Sequence, residues 1–158
     1  MQDNGINVFD VASYILSKTN EITSMKLQKL VYYSQVWFLV FKEKVLFNEN
    51  IEAWVRGPVV RELYEINRGM LYVSSIINGD PTKLTKEQKE IIDKVIKVYG
   101  KLTGQELSDL THSEAPWLDA RKDCEETQRS SCIIPVSELY EYYSTLPPEN
   151  TLENVLKK

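Results

Sequence analysis

His112 is the one histidine in the chain, and Cys124 and Cys132 are its two thiols. A Cys–His pair with a third group to orient the imidazole would make a nucleophilic enzyme. Neither cysteine lies in a nucleophile elbow or another local signature of that chemistry. His112 sits in Thr111-His112-Ser113-Glu114, where the simpler role is a ring that hydrogen-bonds near a helix start. The cysteine spacing fits no zinc or redox motif, and a single His adds too few ligands for a metal. The glycines, at 5, 57, 69, 79, 100 and 104, never gather into a phosphate-cradling loop. Glu125 and Glu126 are adjacent carboxylates in a polar stretch, best read as solvated surface. These residues predict a protein that is not an enzyme and holds no cofactor or metal, with a small His112-dependent enzyme as the weakest alternative.

What remains is binding. Trp37, Trp54 and Trp117 stand among 9 Tyr and 4 Phe, and large aromatics are common interface anchors. Trp37 is a core candidate. Trp54 lies beside Arg56, and Trp117 follows Pro116, so both are candidates for a partner-facing rim.

The elements that position them centre on Met25 to Lys42, MKLQKLVYYSQVWFLVFK. At about 100° per residue, Leu27, Leu30, Val31, Trp37, Phe38 and Phe41 share one face with Ser34. The reverse carries Tyr32, Tyr33, Val36, Leu39 and Val40, so the helix is apolar nearly all round and predicted to be buried on several sides. Its one narrow polar line is Gln28, Gln35 and Lys42, flanked by Lys26 and Lys29. The uninterrupted run is too short for a membrane span and contains Ser34 and Gln35.

Around it, Asn7 is predicted to cap a helix from Val8 to Lys18, and Thr23 or Ser24 to cap the central helix. Val45–Phe47 and Ile51–Val55 read as a hairpin joined by Asn48-Glu49-Asn50, stopped by Arg56-Gly57-Pro58. Pro58 suits the first turn of the next helix, which ends near Gly69. Leu71 to Ile77 fits either a short strand or an irregular segment, before the turn Asn78-Gly79-Asp80-Pro81. Thr85…Gln88 and Thr103…Glu106 are capping boxes opening two helices, and Ser113 can cap a third holding Pro116 and Trp117. Pro135 opens the last helix, Pro147-Pro148 ends it, and Thr151 to Lys158 reads as tail. The sum is an α+β fold, a mostly helical single domain around a central apolar helix with a small antiparallel hairpin, its core over about 8–146 and a tail over 147–158.

Length suits one domain with a real core. The formal charge is −4, all of it in residues 80–158, which hold 11 basic and 15 acidic residues against 8 and 8 before them. That is no basic footprint for nucleic acid, which is not an expected partner. The opening MQDNGINVFDV has neither basic start nor long apolar core, so no secretory leader is expected, and the protein reads as cytoplasmic.

Two blocks carry a family resemblance. The first is Lys26-Leu27-Gln28-Lys29-Leu30-Val31-Tyr32-Tyr33 with Gln35 and Trp37, then Leu46-Phe47, Ile51-Glu52-Ala53-Trp54 and Gly57-Pro58-Val59-Val60. The second is Leu110-Thr111-His112-Ser113-Glu114-Ala115-Pro116-Trp117 with Ala120-Arg121. In this order and spacing the chain, over roughly residues 8–145, resembles the Panacea domain family, which includes SocA-type antitoxins and phage-associated proteins. The resemblance implies an antitoxin that neutralises a cognate protein toxin by direct contact. For a SocA-like branch it implies an adaptor that delivers the toxin to a bacterial protease. Some family members carry an N-terminal DNA-binding segment, and the roughly seven residues before the first helix here depart from that pattern. Trp54, Arg56, Pro58, His112 and Trp117 are then the candidate partner-binding residues. Leu27, Leu30, Tyr33, Trp37, Gly57 and Ser113 are the candidate structural positions of the motif.

Overall fold

The computed structural model describes residues 5–125, 127–147 and 150–152; Glu126, Pro148 and most of the expected tail lie outside them. At its centre is the helix α2, Ser24–Lys42. Thr23 caps it, its hydroxyl accepting from the Lys26 N–H at 3.1 Å. From Leu27 to Leu39 every residue is buried, as a helix without a polar face requires. Four helices pack around it: α1 (Val8–Thr19), α4 (Lys86–Tyr99), α5 (Gly104–His112) and α7 (Val136–Ser144). The shorter α3 (Arg61–Ile66) and α6 (Ala115–Ala120) and a 3-10 turn at Pro81–Lys83 are further helical elements among the described residues. The buried apolar side chains form one cluster, and Leu152, assigned to the tail on sequence, joins it.

The local capping signals fold as read. Asn7 with Asp10, Thr85 with Gln88 and Thr103 with Glu106 each close a reciprocal capping box. Ser113 does not cap α6; it ends α5, and its hydroxyl donates to the Leu110 carbonyl at 2.6 Å.

The polar line of the central helix has a different use from a solvated edge. Gln28 and Gln35 are buried, and each amide clips a strand-like segment to the helix. Gln28 accepts from the Val60 N–H at 2.9 Å and donates to the Val60 carbonyl at 3.2 Å. Gln35 accepts from the Leu46 N–H at 2.7 Å and donates to the Phe47 carbonyl at 2.8 Å. Val45–Phe47 is thus held by a side chain and is not a strand.

The hairpin forms one segment later than its sequence pattern indicates. Strand β2 (Glu52–Trp54) pairs antiparallel with β3 (Gly57–Val59), with Ala53 opposite Pro58. Gly57-Pro58 is therefore in the sheet, not its stop, and Pro58 is not in the first turn of α3. Pro58 is tolerated because Ala53 directs its polar groups away from it. The Ala53 N–H donates to the Cys132 carbonyl at 2.8 Å, and its carbonyl accepts from Arg121 at 2.9 Å. No ladder bond is lost at such a non-bonded pair. A second antiparallel pair of two residues each joins Ile22–Thr23 to Tyr72–Val73, fixing the Leu71–Ile77 stretch beside the start of α2.

One polar network crosses the core. Glu114 accepts from the Tyr33 hydroxyl at 2.6 Å and from Tyr143 at 2.8 Å, and Tyr143 lies 2.9 Å from the Tyr32 hydroxyl. Tyr33 stacks on Tyr99 at 4.1 Å, whose hydroxyl accepts from the Trp37 indole at 2.9 Å. Burial raises the Glu114 carboxyl above its ordinary range, against the two tyrosine bonds that lower it. The folded protein therefore holds this proton to higher pH than the unfolded chain. The stability it contributes is present at acid pH and is lost as pH rises from the unfolded value through the raised folded one. In melts across pH, the stability of wild type relative to Glu114→Gln should fall over that window; a difference that grows with pH would contradict the burial assignment.

Candidate functional site

A cleft of about 810 Å³ opens on the described surface. Its walls are the start of α2, the β2–β3 turn, α3 with the turn after it, and the loop at 129–131. Ser24 ties two of these together, its N–H donating to Leu71 O at 2.9 Å and its hydroxyl to Met70 O at 3.0 Å.

The cleft is basic. Lys29, Arg56, Arg61, Arg68 and Arg129 line it, with Glu65 as the one carboxylate in its lining. Arg61 is committed to Glu52 just behind the wall, through Nε at 3.0 Å and Nη2 at 2.8 Å. Burial raises the Glu52 carboxyl, but hydrogen bonds from Arg61 and Trp54 outweigh it and leave the group below its ordinary value. Trp54 forms part of the wall. Its indole donates to Glu52 at 2.9 Å, its ring meets the Tyr64 edge at 4.8 Å, and the Arg61 guanidinium lies over it at 5.4 Å. The rim is apolar: Tyr64, Met70 and Leu71 are 38%, 47% and 69% exposed.

Lys29 is the unusual member. It is 1% exposed, and burial lowers its amine to about 7. Its stem runs over Gly57, where a Cβ would lie 2.5 Å from Lys29 Cε. Gly57 also has φ +121°, a conformation that side chains rarely adopt.

Behind the hairpin, α5 and the second sequence block act together as a clamp. Arg121 donates to the Ala53 carbonyl at 2.9 Å, the Trp117 indole to Trp54 O at 2.8 Å and the Ser108 hydroxyl to Arg56 O at 2.6 Å. Trp117 is 6% exposed, with the His112 ring stacked on one side at 4.0 Å and the Arg121 guanidinium at 5.3 Å. His112 is the last residue of α5 and lies just before the N-cap of α6, Glu114. Cys124 and Cys132 are both free thiols.

The five residues chosen on sequence therefore separate. Trp54 and Arg56 line the cleft. Pro58 is buried in β3, and His112 and Trp117 lie behind the hairpin that carries Trp54. Lys29, Arg61, Arg68 and Arg129 were not selected. Lys29 had a readable signal, since Tyr33, Val36 and Val40 at i+4, i+7 and i+11 leave a lysine on that side of α2 no solvent face.

The model of the family described as "Antitoxin SocA-like, Panacea domain" matches residues 27–118, more than half of the 158 residues. The chain belongs to this family. The matched region runs from α2 through most of α6, so it takes in the hairpin, the Met70–Leu71 rim and the Trp117 part of the clamp. Antitoxin SocA of Caulobacter vibrioides (strain NA1000 / CB15N) is 29% identical over 126 residues, covering 68% of this chain and 66% of that protein. The match thus spans just under two thirds of that relative's length. No solved structure matches the chain. No helix among the described residues is long and apolar enough to cross a membrane.

Proposed function

We propose that the protein is an antitoxin that neutralises a protein toxin by direct binding, with the basic cleft as its contact surface. Membership of a SocA-like antitoxin family over residues 27–118 carries this reading. The relative named Antitoxin SocA supports it. The physics of the site agrees with a binding role. A rigid helix carries the cleft, three side-chain bonds brace the hairpin from behind, and an aromatic with free apolar neighbours lies on the rim. His112 stacks on Trp117 at 4.0 Å, a packing role that calls for no catalytic chemistry. Trp54 and Arg56 are the contact residues in this reading, while Pro58, His112 and Trp117 act through the position of the hairpin.

The direct test is growth. Expression of the product of an adjacent open reading frame should arrest growth, and co-expression of this protein should restore it. Absence of rescue against either neighbour would overturn the reading. Within it, Trp54→Ala should weaken toxin capture by about 2 kcal/mol, a typical anchor value. Its cost to the fold should be about 1–2 kcal/mol, because the half-buried ring loses the Tyr64 edge contact, the indole bond to Glu52 and the Arg61 contact. Paired pull-down and thermal melting would check this, and lost stability with unchanged capture would make Trp54 a core residue.

A further inference from the structure

The fold itself gives Lys29 no electrostatic reason to be a lysine. Its stem fills the space over Gly57, which a methionine would also do without carrying an amine inside. The side chain is 1% exposed and its amine takes part in no ion pair among the described residues; the amine opens to the cleft it lines. An unpaired buried amine is costly, and here it sits in the wall of an open cleft. The surrounding charges do not compensate it. Arg61 already serves Glu52, and Arg68 is 3.8 Å from Glu65. The guanidinium groups of Arg56 and Arg129 have no partner among the described residues.

We infer that the cleft is a carboxylate-binding site: an acidic side chain on an otherwise apolar segment of a protein partner enters it, with the Lys29 ammonium as its counter-charge and Arg56 and Arg129 as the outer donors. That the partner is a toxin rests on the antitoxin reading; the preference of the cleft for an anion does not. Planar carboxylates match guanidinium forks. The exposed Tyr64, Met70 and Leu71 favour a peptide over a free anion, because a small ion would leave that apolar rim wet. The volume of about 810 Å³ also suits a chain segment better than one phosphate group.

Binding should be proton-linked. Lys29 is held near pH 7 by burial, and a bound carboxylate restores its proton. The charged groups lining the cleft with it are the four arginines and Glu65, with Glu52 behind Arg61; residues of these types do not ordinarily titrate between pH 6 and 9. Affinity should therefore fall as pH rises across that range.

The test uses the full chain and three probes: a dye-labelled hexapeptide of alternating leucine and glutamate, its glutamine counterpart, and inorganic phosphate as competitor. Fluorescence anisotropy should show the glutamate peptide binding about tenfold or more tighter than the glutamine peptide, with affinity falling about tenfold from pH 6 to pH 9. Lys29→Met should abolish the pH dependence and reduce the preference for the glutamate peptide, while melting at or above the wild-type temperature, since it removes an uncompensated amine. The paired exposed substitutions Arg56→Gln and Arg129→Gln should weaken the glutamate peptide by about tenfold without unfolding the chain. Equal affinity for the two peptides, unchanged affinity in Lys29→Met or in the double arginine variant, or a site that takes phosphate in preference to the glutamate peptide would each overturn the assignment. In co-expression, Lys29→Met should fail to rescue at levels where wild type succeeds. Rescue by Lys29→Met overturns the carboxylate site alone, whereas failure of wild type to rescue overturns the antitoxin reading and leaves the peptide result standing.

Discussion

Gly57→Ala should cost about 3 kcal/mol or more and lower the melting temperature by about 6–12 °C. Two independent physical effects combine at this position. The backbone has φ +121°, and holding an L side chain in so sparsely populated a conformation costs about 1–3 kcal/mol. The added Cβ would also lie 2.5 Å from Lys29 Cε and 3.0 Å from Thr111 Oγ1, and something must move. Lys29 is the group with room to leave, through the cleft. The substitution should therefore strain the hairpin and displace the buried amine together. A double-mutant cycle separates the two. In the Gly57→Ala background, Lys29→Ala removes the clashing Cε and should recover part of the loss, leaving the backbone strain. Strictly additive costs would show that Lys29 does not press on Gly57.

Trp117→Ala should cost about 3–5 kcal/mol, the range for deleting a buried large aromatic. The ring is packed between His112 at 4.0 Å and the Arg121 guanidinium at 5.3 Å, and both would lose their support. The Trp54 carbonyl would lose its indole donor as well. Trp117→Phe keeps a ring against His112 and forfeits the hydrogen bond, so its cost should be nearer 1–2 kcal/mol. Partner capture should survive the Phe substitution, because Trp117 faces the back of the hairpin. A Trp117→Ala protein that melts like wild type yet loses its partner would instead make Trp117 a contact residue.

These two positions show what the sequence displays and what it hides. The central helix is legible because an apolar residue on every side permits only burial. The caps at Asn7, Thr23, Thr85 and Thr103 are legible because partner and cap are three residues apart. The hairpin register is not. Val45–Phe47 has strand-like composition, but its backbone bonds go to Gln35, a partner eleven or twelve residues away. Gly57-Pro58 reads locally as a terminator, yet Ala53 faces Cys132 and Arg121 and leaves room for a proline opposite. Two-residue strands such as Ile22–Thr23 are too short to show any periodicity. The candidate site divides along the same line. Trp54 and Arg56 stand out by type and position, whereas the cleft depends on Lys29, Arg61, Arg68 and Arg129 converging from three separate segments. Glu114 was visible as a residue, but its tyrosine partners come from α2 and α7, distances that no local pattern encodes.

The central claim is that the toxin seats on the basic cleft. Hydrogen exchange of the protein, alone and in complex with the product of the neighbouring gene that it rescues, tests this most directly. The account predicts added protection over 54–59 and 64–71, with wild-type exchange on the outer face of α4. Protection confined to α4 or α7, with the hairpin and the Met70–Leu71 rim exchanging as in the free protein, would contradict it.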